Sequence, residues 1–142
     1  MARRPPRAQV GALLRQAHDE LIDELHAGLV AAGFDDLPPH HLGLLRRLML
    51  DEQRPSAVAA RLGLSKQAVN DLLRTYEAKG YLTLVPDPED RRAKRVQPTD
   101  RGWELLTTAA RLSAGVGRRW SRQVGAERYA VFEAVLREVV EG

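Results

Sequence analysis

The chain has 142 residues, of which 44% are hydrophobic and 29% charged, with no cysteine and a net charge of +3. Such a length suits one compact domain, and the lack of cysteine excludes disulfides, thiolate metal sites and thiol redox sensing. No apolar run nears the roughly 18 residues of a membrane span, and MARRPPRAQ is not followed by the apolar core of a signal peptide, so a cytoplasmic protein with no membrane partner is expected.

Charge is unevenly spread: residues 1–15 carry +4, 16–53 carry −6, 54–101 carry +4 and 102–142 carry +1. A basic middle behind an acidic block suggests one face that meets a polyanion and another that does not. The opening MARRPPR is too rich in proline and charge to fold alone. It reads as a ragged terminus, with a DNA-touching arm as the alternative.

Val10, Leu13, Leu14, Ala17, Leu21, Leu25 and Leu29 keep helical spacing up to a stop at Gly33. A stripe this long should overhang a small core, which suggests a partner chain. The acids of this helix, Asp19 with Asp23 and Glu20 with Glu24, are like-charged i,i+4 pairs that want a basic neighbour. HHLGLLRRLML continues as a second helix through Leu42, Leu45, Leu48 and Met49, with Pro38 or Pro39 in its first turn.

Pro55 opens a short helix that ends at Gly63, and Ser65 caps the next, which buries Val69, Leu72, Leu73 and Tyr76 before Gly80. Two helices joined by GLS match a helix-turn-helix. YLTLVP and AKRVQP then pair around the turn DPEDRR as a hairpin, apolar at its base and charged at its tip. A hairpin placed there is a wing. Thr99 caps a helix toward Gly117 or beyond, Gly125 interrupts, and Tyr129, Phe132, Leu136 and Val139 mark a last helix.

ARLGLSKQAVNDLLRTYEAKGYL, followed by PDPEDRRAKRV and TDRG, resembles the winged helix-turn-helix core of the multiple antibiotic resistance regulator (MarR) family. The most specific feature is the Asp90-Arg91-Arg92 wing motif. The resemblance implies a mostly α fold with a small β-hairpin wing, one subunit spanning 1–142. A winged DNA-binding region would cover 38–99, and dimerisation helices 10–33 and 100–142. It further implies a homodimer on consecutive major grooves of an inverted-repeat operator, usually a repressor relieved by a small ligand. The pair leaving the wing is Pro98-Thr99 where the family has Leu-Thr. Where it caps helices with Ser or Thr, this chain has Leu37 or Pro38 and then Arg54.

Residue chemistry supplies a matching set of roles. Ser65 as cap leaves backbone amides free for a phosphate. Lys66 can donate to guanine or phosphate, and Gln67 and Asn70 can make the paired amide contacts that adenine accepts. Arg74, further along the same face, meets backbone phosphate. In the wing, Arg92 suits a narrowed minor groove, oriented by a fork-shaped pair with Asp90. Arg91, Lys94 and Arg95 divide between phosphate and solvent, because strand alternation cannot put all three on one face. Asp87 and Glu89, repelled by phosphate, should turn outward.

His18, His26, His40 and His41, without cysteine or a carboxylate at ligand spacing, make no metal site. Trp103 and Trp120 suit core or dimer packing better than a ligand pocket. No Ser/His/Asp order or phosphate loop supports an enzyme, and no cofactor is expected. The rival reading is a winged-helix protein-interaction module without DNA binding.

Overall fold

A computed structural model describes residues 9–51 and 53–142; the MARRPPR segment lies outside the described residues. In chain order the elements are α1 (Val10–Ala31), α2 (His41–Arg46, continued by a π-helical turn over Arg47–Asp51), α3 (Pro55–Leu62), α4 (Lys66–Ala78), β1 (Leu82–Pro86), β2 (Lys94–Pro98), α5 (Asp100–Val124) and α6 (Ala126–Glu141). The fold is mostly helical, with one antiparallel hairpin.

The core gathers one apolar face from each of the inner elements: Leu29 of α1, Leu45 of α2, Leu73 and Tyr76 of α4, Leu82 and Val96 of the hairpin, and Leu105 of α5 are each at most 2% exposed. Hairpin register pairs Leu82 with Pro98, Leu84 with Val96 and Pro86 with Lys94. The other edge of β2 is held by the Val96 N–H, which donates to the Gln53 carbonyl at 2.8 Å.

Local signals explain the helix ends. Gly63 sits at φ +64, a left-handed turn that glycine enters without strain, and so separates α3 from α4. Ser65 Oγ accepts the Ala68 N–H at 3.0 Å. Thr99 Oγ1 accepts the Gly102 N–H at 3.1 Å and caps α5. Gly102 itself passes so close to Tyr81 that an added Cβ would lie 2.1 Å from the Tyr81 carbonyl oxygen. That approach locks the start of α5 against the base of the hairpin.

Two expectations about α1 and α2 change in detail. Only Leu25 and Leu29 of the α1 stripe are buried, while Val10, Leu13 and Leu14 remain exposed. The burial begins where α1 meets α5, and there Arg119 of α5 supplies the basic neighbour for Glu24. Pro38 and Pro39 precede α2 rather than entering its first turn. The Pro38 carbonyl accepts the His41 N–H at 3.0 Å, and His40 is the residue before the helix.

Candidate nucleic-acid interface

α4 turns its apolar side, Val69, Leu73 and Tyr76, into the core. Its opposite side presents Ser65, Lys66, Gln67, Asn70 and Arg74, all exposed. The spacing of four residues puts Lys66, Asn70 and Arg74 in one row. The helix also carries an acid that sequence reasoning did not use: Asp71 accepts the Gln67 amide at 3.2 Å and lies 3.9 Å from Arg74. Asp71 thereby orients Gln67 and softens the charge of Arg74. The i,i+4 spacing from Gln67 was the available signal.

The hairpin carries a second cationic group. Arg91, Arg92 and Lys94 are exposed, whereas Arg95 is half-buried opposite Val85, with its Nε shielded from solvent. Strand alternation does separate Lys94 from Arg95.

The acids of the wing depart from expectation. Asp90 Oδ1 accepts the backbone N–H of Arg92 at 3.0 Å, shaping the tip as a tight turn, and no guanidinium fork between Asp90 and Arg92 forms among the described residues. With only one residue between them, the short carboxylate reaches the amide before it reaches the far end of the arginine. Asp87 is not turned outward but is 3% exposed. It accepts the Glu89 N–H at 2.9 Å and pairs with Arg54 Nε at 2.7 Å. The Glu89 amide first, and then the Arg54 guanidinium, hold its carboxyl below the usual carboxylate range, against the upward pull of burial. Glu89 meets Arg54 Nη2 at 2.7 Å, so both acids are engaged by one arginine.

Beneath the interface, Asp36 fastens the approach to α2 onto the module. It accepts Arg101 Nη2 at 3.2 Å and the Tyr81 hydroxyl, while its carbonyl accepts Lys79. Arg101 also stacks 4.6 Å from the Tyr81 ring centroid.

The module thus carries an exposed amide- and lysine-bearing helix and a cationic hairpin tip, and residues 35–93, which contain both, match the model of the MarR family. This core belongs to the MarR family. No curated protein matches the chain in sequence. Among solved structures, the MarR-family core and its flanking helices are similar to transcriptional regulator Tm0710 from Thermotoga maritima. The two share 26% identity over 91% of this chain and 89% of that one, with a TM-score of 0.65. The transcriptional repressor CouR, bound to a 23-mer DNA duplex, is 20% identical over 93% of this chain and 92% of its own, with a TM-score of 0.69. A Mycobacterium tuberculosis MarR family protein in complex with salicylic acid is 23% identical over 93% and 96%, with a TM-score of 0.68.

Proposed function

We propose that this MarR-family chain is a sequence-specific, double-stranded-DNA-binding transcriptional regulator, acting as a homodimeric repressor that a small ligand relieves. The observation that carries the reading is the capped start of α4, where Lys66, Gln67 and Asn70 are exposed, together with the exposed Arg91, Arg92 and Lys94 of the wing that follows it. A helix of that composition reads base edges in the major groove, and the hairpin cations suit the backbone and a narrowed minor groove. The solved duplex complex of CouR supports the same use of the fold.

Dimerisation is supported by apolar surface at both ends of the chain: Val10, Leu13 and Leu14 of α1, and Val131, Phe132, Val135, Val139 and Val140 of α6, are exposed. Leaving them in water costs on the order of 25 cal/mol per Å². Relief by ligand is supported by an open cleft of about 920 Å³ between α1, α2, α5 and α6, where Leu25 and Leu106 face Arg46, Ser113, Arg118 and Glu133. An arginine beside apolar walls suits a small aromatic or aliphatic anion, in line with the salicylic acid complex of the Mycobacterium tuberculosis protein.

Selection of bound fragments from the host's genomic DNA, followed by a salt titration on the recovered duplex, tests the proposal. An inverted repeat bound with a steep loss of affinity as salt rises is expected. Failure to retain any duplex at low salt would leave the protein-interaction module as the better reading.

A further inference from the structure

Arg54 occupies the position before α3 where a serine or threonine would ordinarily bond the first helical amides. Its side chain makes no such bond. Instead the guanidinium crosses to the wing, 33 and 35 residues further along the chain, where Nε meets Asp87 and Nη2 meets Glu89, each at 2.7 Å. Next to it, Gln53 accepts the Val96 N–H at 2.8 Å. Residues 53 and 54 thus grip the hairpin twice, once at the strand edge and once just below the charged tip.

We propose that Arg54 is a wing-positioning residue, which trades the cap of α3 for a latch that holds the hairpin tip at a set place relative to α4. The inference rests on the DNA-binding reading for its purpose, though not for its geometry. Asp87 is 3% exposed, and a carboxylate so placed is stable only while paired. Without Arg54 it would move toward water and carry Pro88, Glu89 and the Asp90–Arg92 turn with it. Arg95 lends Asp87 further positive charge from β2, but the direct ion pair comes from Arg54 at the start of α3. Because α3 packs on α4, the latch refers the wing cations to the helix that reads bases. Pairing also offsets one of the two negative charges that Asp87 and Glu89 would otherwise bring near phosphate next to Arg91 and Arg92. A lysine would hold one carboxylate but not bridge two, since only the planar fork spans both.

Two variants of the full-length chain test this, with two readouts. Arg54→Ser removes the latch while supplying a cap for α3, and Asp87→Asn removes the buried charge. In amide exchange, the N–H groups of Glu89, Arg92 and Ala93 should exchange about tenfold faster or more in both variants, while the amides of α4 and α5 keep their rates. Unchanged exchange in the wing overturns the latch whatever the protein binds. In duplex binding, simple electrostatics makes Asp87→Asn bind more tightly, because it deletes a negative charge. The latch requires the opposite: roughly fivefold to tenfold weaker binding for either variant, and no further loss in an Arg92→Ala background. Tighter binding by Asp87→Asn, or losses that simply add to that of Arg92→Ala, overturns the positioning role. A wild-type chain that binds no duplex refutes the proposed function instead, and the exchange experiment still decides whether the latch exists.

Discussion

Asn70 offers a side-chain amide that can donate and accept at once, while Arg92 offers charge and donors only, and both are exposed. Their removal should therefore have different signatures. Arg92→Ala is expected to weaken binding by about 1–3 kcal/mol across all sequences and to reduce the salt slope by about one. Asn70→Ala should relax preference at one base position per half-site, as read by binding to a set of singly substituted duplexes. Equal binding by Arg92→Ala throughout a salt titration would remove the wing from the interface. Gly102 makes a purely structural demand, because a methyl there would meet the Tyr81 carbonyl oxygen at 2.1 Å. Backbone must shift to admit it, so Gly102→Ala should cost ~1–3 kcal/mol in a denaturant titration. Gly43→Ala has open space around its Cβ and should cost far less.

Between elements, the contact that joins α2 to α4 is sensitive to protons. His41 Nδ1 lies 2.6 Å from the Tyr76 hydroxyl. Burial, helped by the positive neighbours His40 and Lys79, pushes the His41 imidazole below its ordinary 6.5. Burial, with the charge of Asp36, pushes the Tyr76 phenol up to about 12, so it keeps its proton and shares this hydrogen bond with a neutral ring. A histidine whose folded value is depressed stabilises the fold fully above its unfolded value, and that contribution is lost as pH falls through the unfolded value toward the lower folded one. The melting temperature should therefore drop as pH falls through and below the ordinary histidine value of 6.5. His41→Gln, which keeps an acceptor but cannot titrate, should flatten that part of the profile. An identical slope in wild type and variant would assign the pH response elsewhere.

At the scale of the whole molecule, α6 buries none of its residues fully and the first turns of α1 stand clear of the core. A second subunit paired through both ends would cover these stripes and set the distance between two copies of α4. Deleting residues 126–142 is expected to yield a monomer in sedimentation and to lower operator affinity more than any single change on α4. A truncated chain that remains dimeric with undiminished binding would place the interface elsewhere. A two-fold dimer also constrains its target, whose half-site centres should lie about 10–10.5 base pairs apart on one face of the duplex.

The order and span of the elements were legible in the sequence because their causes are local. Helical spacing of apolar residues marked α1 and α4, Gly63 and Ser65 marked the turn between α3 and α4, and the DPEDRR turn marked the hairpin. The exposure of Lys66, Gln67, Asn70 and Arg92 followed from the same periodicity, since an apolar face turned inward leaves its opposite side outward. Tertiary structure alone decided where the charged side chains went. Arg54 reaches Asp87 across 33 residues and Arg101 reaches Asp36 across 65, and no local pattern encodes a partner at such separations. Asp87 was expected to point away from phosphate, yet it is buried, because a guanidinium from another element is there to pair with it. Burial of a charge depends on what the completed fold brings beside it, and that is a property of the folded chain rather than of any stretch within it.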